Sequence, residues 1–325
     1  MDHGKISQDI AKGLKILRKR IRSSNIPPKV LDKSLNLATW NIREFGKKRR
    51  KKDSIHYIAE ILNQFDLIAI TELRDNVSDL HRTMEILGPY WKVVYSDYST
   101  DRGGNRERIG YLYDKRSAVF TGLAAEADPP KKKQKVIVYG EEVKEYISTI
   151  TWWRSPFIAS FRAGDFDFIL ITAHIRWDTT GGEKSRKRAL KLLAEWVAKR
   201  RDEKNVIDKD IIVMGDFNIP KVNDELFRAI TSTGLKIPKA LRGKYETNLA
   251  RDKRYDQILH FPSQTKCFTN KGGILDFYCN DHRPLFPGQS ITKHDFTYQL
   301  SDHLPLWAQL DIDLDEEKLD QILNQ

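Results

Sequence analysis

The chain has 325 residues, 40% of them hydrophobic and 31% charged, and its 56 Lys+Arg against 45 Asp+Glu give a formal net charge of +11. This composition is typical of a soluble globular domain with a large core and excludes a disordered chain. No apolar run is long enough to cross a membrane, and charged residues interrupt the segment after Met1 where a signal peptide would need apolar ones. We therefore expect a cytoplasmic protein.

The first predicted element is a helix. Apolar residues recur at steps of three and four between Ile6 and Ile21, with lysines and arginines on the other faces. Pro27 and Pro28 end this pattern because two prolines cannot continue a helix. We predict an N-terminal helical extension over residues 1–34, a main domain over 35–312 and an acidic C-terminal tail over 313–325.

The main domain alternates short apolar segments with amphipathic ones. Strands are predicted at Leu35–Asn41, Asp66–Thr71, Trp91–Tyr95, Ile109–Tyr113, Phe157–Phe161, Phe166–His174, Ile211–Asp216, Tyr255–His260 and Leu306–Ile312. Helices are predicted at Ile55–Leu62, Val77–Leu87, Glu183–Arg200 and Asp224–Ile230. Many strands with few helices favour two sheets packed face to face with helices outside.

The excess of positive charge indicates what kind of partner the protein could bind. Lys47–Lys52 is a run of basic residues, and Lys131–Lys135 contains four lysines; both are predicted as exposed loops. A basic protein concentrates polyanions near its surface, so nucleic acid is the first candidate partner and an anionic membrane the second. A basic surface without a special partner is the alternative.

Polar side chains end several of the predicted strands. The residues concerned are Asn41, Glu72, His174, Asp216 with Asn218, and the pair Asp302 and His303 before the last strand. Each residue alone is commonplace, because Asn and Asp also favour turns. Strand ends at one edge of a sandwich meet at one rim, however, so we expect these side chains to form one polar site.

The donor types indicate the chemistry of that site. Carboxylate and amide oxygens suit a hard cation such as Mg²⁺ or Mn²⁺ better than zinc. The only cysteines, Cys267 and Cys279, offer neither a disulfide framework nor a zinc knuckle. His174 and His303 are then available as a general acid and a general base.

Seven segments in order resemble the motifs of one enzyme superfamily. They are Thr39-Trp40-Asn41-Ile42-Arg43-Glu44-Phe45-Gly46, Thr71-Glu72-Leu73-Arg74-Asp75, Glu107-Arg108, Thr172-Ala173-His174, Met214-Gly215-Asp216-Phe217-Asn218, Tyr255-Asp256-Gln257-Ile258 and Ser301-Asp302-His303-Leu304-Pro305. The sequence resembles the endonuclease/exonuclease/phosphatase superfamily, most closely its deoxyribonuclease I branch. The resemblance runs from about Leu35 to Ile312.

The resemblance implies an α/β fold, a four-layer α/β/β/α sandwich, and metal-dependent hydrolysis of phosphoric esters. It implies that Asn41 and Glu72 hold the ion and that Asp216, Asn218 and Asp302 complete the polar floor, with Asp302 a further candidate ligand. His174 and His303 would be the acid–base pair, with Asp256 orienting His174 and Glu107 orienting His303. The implied substrate contacts are Arg43, Arg74, Arg108 and Arg154.

The sequence therefore predicts an endonuclease that acts on DNA with Mg²⁺ or Mn²⁺ and no small-molecule cofactor. One alternative is a phosphatase or a sphingomyelinase-like phosphodiesterase that acts on inositol or lipid phosphates; its mark would be an apolar membrane-inserting hairpin, which the sequence does not predict. Another is an inactive nucleic-acid-binding or scaffold protein, against which the intact set of acids and histidines argues. The oligomeric state stays open.

Overall fold

A computed structural model describes residues 1–100, 105–129, 131–148, 152–177, 182–315, 319 and 323. The helices of this part of the chain are α1 Gln8–Ser23, α2 Lys52–Leu62, α3 Ser78–Leu87, α4 Gly182–Asp202, α5 Glu225–Ile230 and α6 Lys293–Gln299. Its strands are β1 Ser34–Phe45, β2 Leu67–Arg74, β3 Trp91–Tyr95, β4 Glu107–Asp114, β5 Val119–Glu126, β6 Lys131–Val138, β7 Glu141–Ser148, β8 Phe157–Ala163, β9 Phe166–His174, β10 Ile211–Asp216, β11 Asp256–His260, β12 Phe268–Ile274 and β13 Leu306–Asp311. None of the described helices is long and apolar enough to cross a membrane.

Two mixed sheets form the centre of the molecule. The first has the strand order β12-β13-β1-β2-β4-β3, and the second has the order β11-β10-β9-β8-β5. Strands β1 and β2 are parallel in the first sheet, and β9 and β10 are parallel in the second. Each sheet thus contributes one parallel pair whose carboxyl ends can supply side chains to a common rim.

The alternation of side chains along the strands creates the layers. In β1, Leu37 enters the core between the sheets, whereas Trp40 enters the core under α1 and α2. Tyr111 of β4 stacks on Phe157 of β8 with ring centroids 5.4 Å apart, which joins the two sheets directly. Leu190 of α4 belongs to the same cluster, on the far side of the second sheet. The predicted four-layer α/β/β/α sandwich is confirmed.

Helix α1 packs on α2 at the outer face of the first sheet. Arg18 donates two hydrogen bonds to the Glu60 carboxylate, at 2.8 and 3.0 Å. Gly13 lies directly against Tyr57, whose hydroxyl donates to the Leu285 carbonyl at 2.5 Å. The apolar face predicted between Ile6 and Ile21 is therefore a packing surface, with Leu17 fully buried.

Three predictions about the peripheral segments are wrong or incomplete. Lys131–Lys135 is not a loop, because it forms most of β6, which pairs with β7 in a two-stranded ribbon. Strands β5, β7 and β12 and helix α6 were not predicted, since their sequences lack a clear apolar period. Within Lys47–Lys52, Arg50 is buried and Lys52 begins α2.

Arg50 is the buried residue of the basic run, and it has a structural role. Its guanidinium donates to the backbone carbonyl of Arg43, and its backbone N–H donates to Asp79 Oδ2 at 2.8 Å. Burial lowers the pKa of Arg50 to about 10, although nearby carboxylates such as Asp79 partly compensate. This arginine thus holds the chain that follows β1.

Gly13→Ala tests how tightly α1 is packed. An exposed helical Gly→Ala change stabilises by about 1 kcal/mol, but a Cβ at Gly13 would lie 1.8 Å from Tyr57 Oη. We expect Gly13→Ala to lower the free energy of unfolding by about 1–3 kcal/mol in urea denaturation. The loss should be smaller in a Tyr57→Phe background, which removes the hydroxyl. A stabilised Gly13→Ala protein would show that α1 is loosely held.

Candidate active site

The predicted polar strand ends do meet at one rim. Asn41 of β1 and Asp216 of β10 come from different sheets, and Asn41 Nδ2 donates to Asp216 Oδ2 at 3.0 Å. The same amide donates to Glu72 Oε1 at 2.9 Å. His174 is the register partner of Asp216 across β9 and β10. The two sheets therefore bring amide, carboxylate and imidazole groups into one cleft.

Asp216 lies at the centre of this arrangement. Its Oδ2 is 3.6 Å from His174 Nε2 and 3.8 Å from His303 Nε2, and its Oδ1 accepts a hydrogen bond from the Asn218 backbone N–H at 2.9 Å. Burial alone would raise the pKa of Asp216, but the two imidazoles and the hydrogen bonds it accepts lower it. Asp216 is therefore held as a carboxylate between the two histidines.

Gly215 allows this placement of Asp216. Its φ is +132°, and a Cβ at this position would lie 2.1 Å from the Ala173 carbonyl oxygen of the neighbouring strand. Only glycine fits so close to another backbone. At the end of β10, the close approach of the neighbouring strand therefore requires glycine at position 215, and Asp216 supplies the carboxylate of the site.

His174 forms the first of two carboxylate–histidine pairs. Its Nδ1 is 3.0 Å from Glu107 Oε2, and Arg154 makes an ion pair with the same Glu107 oxygen at 2.8 Å. Burial would raise the pKa of Glu107, but His174 and Arg154 lower it to about 2. A Glu107 that stays ionised directs His174 Nε2 toward the cleft.

His303 forms the second pair. Its Nδ1 is 2.8 Å from Asp256 Oδ2. Burial opposes a charged imidazole, but the carboxylates of Asp256 and Asp216 raise the pKa of His303 well above its usual value. Ser301 fixes the adjacent backbone, because its hydroxyl donates to the Asn41 carbonyl at 2.6 Å and accepts the His303 N–H at 3.0 Å.

The structure corrects the predicted pairing, which had Asp256 orienting His174 and Glu107 orienting His303. The reason lies in the topology. Glu107 begins β4, which faces β9 across the two sheets, so its carboxylate meets His174. Asp256 begins β11, which lies against β13, so its carboxylate meets His303.

The residues predicted to hold a metal fit such a role in part. Asn41 Oδ1 is buried and has no hydrogen-bond partner among the described residues. Glu72 has a φ of +61° at a bulge in β2, a strained conformation that directs its carboxylate to Asn41. A buried free amide oxygen next to two carboxylates is a donor set for a hard divalent cation.

Asp302, the third predicted ligand, has a different partner. Its Oδ2 is 3.4 Å from Arg43 Nη1, and its side chain is 41% exposed. Arg43 also donates to Thr297 Oγ1 at 2.6 Å and stacks over the Tyr298 ring at 4.1 Å. Arg43 and Asp302 both line the cleft, and Arg43 is held in place by contacts with α6 as well as with Asp302.

Asp216, Asp256 and His303 form another cluster of side chains whose types can bind a metal ion. One ligand atom from each of Asp216, Asp256 and His303 lies within 4.8 Å of the others. The imidazole Nδ1 of His303 is already bonded to Asp256, however, and all three residues are buried. Asn41 and Glu72 are the stronger candidates for metal ligands, because the Asn41 amide oxygen lacks a partner within the described part of the chain.

The other three arginines that were predicted to contact the substrate lie at different places relative to the cleft. Arg154 lines the cleft, and Arg74 approaches Glu107 Oε1 at 3.7 Å. Arg108 lies elsewhere, because its guanidinium donates to the Ser96 carbonyl and to Asp97 Oδ1, each at 3.0 Å. The strand alternation that directs Glu107 to His174 turns Arg108 away from the cleft.

Some residues of the cleft were not predicted. Glu44, Arg176 and Trp177 line it together with the predicted residues. Arg176 and Trp177 follow His174 by two and three residues in the sequence, so their place after a strand that ends in a site residue was an available signal.

Two carboxylate–histidine pairs converge on a buried aspartate, and an asparagine–glutamate pair lies beside it. Residues 38–303 match the sequence profile described as the Endonuclease/Exonuclease/phosphatase family. This chain belongs to the endonuclease/exonuclease/phosphatase family. Members of the family are hydrolases that act on phosphoester bonds, and they generally depend on a divalent metal. No curated protein matches the chain significantly in sequence.

Solved structures of the family share its fold. D. rerio TDP2 complexed with single strand DNA product has 13% sequence identity and a TM-score of 0.57, covering 85% of this chain and 98% of that one. Truncated Caenorhabditis elegans TDP2 has 14% identity and a TM-score of 0.54, with 86% and 97% covered. A mannosyl-6-phosphatase from Bacteroides thetaiotaomicron has 19% identity and a TM-score of 0.51, with 84% and 98% covered.

The corrected pairing can be tested by NMR on the metal-free protein. Asp256→Asn removes a carboxylate that raises the pKa of His303, so the measured pKa of His303 should fall toward its usual value. Glu107→Gln is the matched control and should leave the His303 titration in place. A fall in Glu107→Gln but not in Asp256→Asn would restore the pairing expected from the sequence.

Proposed function

We propose that this family member is a divalent-metal-dependent endonuclease that hydrolyses DNA. The observation that carries the proposal is the pair of histidines whose Nε2 atoms lie on either side of Asp216, each held by its own carboxylate. Two oriented imidazoles at one buried anion suit a reaction that removes a proton from one oxygen and adds one to another.

The proposed reaction is in-line attack of water on phosphorus. One imidazole Nε2 takes the proton of the attacking water as the new P–O bond forms. The other Nε2 gives a proton to the leaving oxygen as the old P–O bond breaks. Because the carboxylates occupy both Nδ1 atoms, each ring is fixed with Nε2 toward the substrate.

Asn41 and Glu72 would hold the cation, which when bound neutralises the non-bridging phosphate oxygens. Asn218 contributes differently. Its Nδ2 donates to the Ile175 carbonyl at 2.7 Å, which fixes the amide at the rim and leaves its second N–H for the charge that develops on the substrate. The cationic wall of the cleft, Arg43 and Arg154, would position the phosphate.

The ribbon of β6 and β7 supports a polyanionic substrate. Directly paired residues share a face, so Lys131, Lys133, Lys135 and Lys144 lie on one side of the ribbon together with Tyr146. We call this side the lysine face. Within the ribbon, Glu142 is the one acidic residue on this side, and it makes an ion pair with Lys135 at 2.6 Å. The ribbon joins β5 to β8 beside Glu126 and Phe157, at the sheet edge where β9 ends in His174.

The tip of the same ribbon favours a second candidate function, the hydrolysis of lipid phosphates. Ile137 and Tyr139 are exposed there, by 79% and 102% of their surface. An exposed apolar tip is the mark expected of a phosphodiesterase that acts on lipid phosphates at a membrane, although the sequence had not predicted it. The lysine face of the ribbon that ends in this tip would suit an anionic membrane as well as DNA.

Plasmid nicking tests the proposed function. The wild-type protein should convert supercoiled DNA to the open circle with Mg²⁺ or Mn²⁺, and EDTA should abolish the reaction. His174→Ala and His303→Ala, which lack one imidazole each, should be slower by about two to four orders of magnitude. Cleavage of sphingomyelin or of a phosphomonoester, without nicking, would favour the alternatives over a nuclease.

The assignment of the metal ligands predicts a change in binding as well as in rate. Glu72→Ala should weaken Mn²⁺ binding, measured by titration calorimetry or by electron paramagnetic resonance, because Glu72 supplies a carboxylate oxygen. Asp302→Ala is the comparison and should weaken it less, because Asp302 pairs with Arg43. Unchanged Mn²⁺ affinity in Glu72→Ala would remove this residue from the ligand set.

The lysine face predicts a salt effect. If its lysines neutralise phosphates, replacing Lys131, Lys133 and Lys135 by alanine should flatten the plot of log K against log salt, by up to about 0.9 for each duplex phosphate that is no longer neutralised. Replacing Lys12, Lys15 and Lys19 on the exposed side of α1 removes the same charge and should leave the slope in place. Equal slopes in the two variants would exclude the face from DNA binding, and selective loss of binding to anionic vesicles would favour the lipid candidate.

A further inference from the structure

We propose that Trp177 is a stacking platform for a nucleobase next to the hydrolysed phosphate. This inference rests on the proposed function and adds a subsite to it, namely a place for the base in addition to the place for the phosphodiester. It follows from the position of Trp177, from the residues that fix its ring, and from the chemistry of the cleft around it.

Trp177 belongs to the same cleft as the two histidines. It follows His174 by three residues and lines the cleft together with Asp216 and His303. Among the described residues that line this cleft, it is the only large apolar side chain; the others are charged, amide or imidazole groups. Its surface is 48% exposed. A planar group bound beside the reacting phosphate would therefore meet Trp177.

Two neighbours fix the orientation of the indole ring. The guanidinium of Arg186, a buried residue of α4, lies 4.0 Å from the ring centroid. A cation over the face of a tryptophan is attracted to the ring, so Arg186 supports one side of the indole. The edge of the ring packs on Tyr255, with a centroid distance of 5.9 Å and an interplanar angle of 74°.

The contact with Tyr255 also ties Trp177 to the catalytic groups. Tyr255 precedes Asp256 and lies against the His303 ring at 5.7 Å. Trp177, Tyr255 and His303 thus form a continuous aromatic wall. A base on this wall would be next to a phosphate that reaches the Nε2 atoms of the histidines.

The chemistry of the cleft favours a nucleobase over other planar groups. The substrate must bring a phosphodiester to a basic protein, and a nucleic acid carries a flat ring beside each phosphodiester. Stacking on an aromatic side chain is possible for every base, since each has a π-face. The platform should therefore add affinity without strong sequence preference.

A second tryptophan provides a matched control. Trp153 is 39% exposed, and the guanidinium of Arg176 lies 4.9 Å from its ring. Trp153 lines a neighbouring pocket that shares Arg154, His174 and Arg176 with the cleft, but Trp153 itself does not line the cleft of the two histidines. Each tryptophan has its own arginine partner and is partly exposed, but only Trp177 lines the cleft in which the phosphate is proposed to bind.

The test is a binding measurement in EDTA, where no cleavage occurs. Fluorescence anisotropy gives the affinity for a single-stranded thymidine oligonucleotide and for a strand of equal length whose sugars carry no bases. The wild-type protein should bind the thymidine strand more tightly. Trp177→Leu should lose about fivefold or more of its affinity for the thymidine strand and keep its affinity for the abasic one. Trp177→Phe should retain most of the difference, and Trp153→Leu should behave like the wild type.

The two strands separate the failure of this inference from that of the proposed function. If the wild-type protein binds both strands equally well, or if Trp177→Leu weakens both alike, Trp177 does not stack on bases although the protein still binds nucleic acid. If the wild-type protein binds neither strand at low salt and does not nick plasmid, the proposed function is wrong. This inference, which rests on the proposed function, is then wrong as well. Unchanged binding of the abasic strand by Trp177→Leu also shows that the variant is folded.

Discussion

The site depends on one constraint, the burial of the Asp216 carboxylate between two imidazoles. A buried charge is costly unless it is paired and hydrogen-bonded. Asp216 meets this requirement with an amide from Asn41, a backbone N–H from Asn218 and the two histidines. These partners come from both sheets, so the site is assembled only when one sheet packs on the other.

This constraint accounts for several local features at the rim. Gly215 permits the backbone of β10 to approach Ala173, and the positive φ of Glu72 and Glu44 occurs where β1 and β2 become irregular. The Glu44 N–H donates to Glu72 Oε2 at 2.8 Å, so the strained segment also orients a carboxylate of the site. Strain concentrated at a rigid rim is typical of functional sites.

The sequence predicted those parts of the structure that have a strong local signal. The continuously apolar strands such as Phe166–His174 and Ile211–Asp216 have the predicted bounds, and their terminal polar residues do share a rim. It could not predict which carboxylate meets which histidine, because that depends on which strands face each other across the sheets. The β6–β7 ribbon escaped prediction because its stability rests on cross-strand pairing and on a Tyr139-Gly140 turn at positive φ, whereas lysine-rich segments resemble loops.

The central claim is that one buried carboxylate organises both histidine pairs for catalysis. Asp216→Asn tests it most directly, because the amide keeps the shape of the side chain and removes the charge. The measurement is kcat for nicking of supercoiled DNA at saturating Mn²⁺, with circular dichroism as the check on folding. We expect kcat to fall by about two orders of magnitude or more in a folded protein. A folded Asp216→Asn protein with kcat within about tenfold of wild type would contradict it.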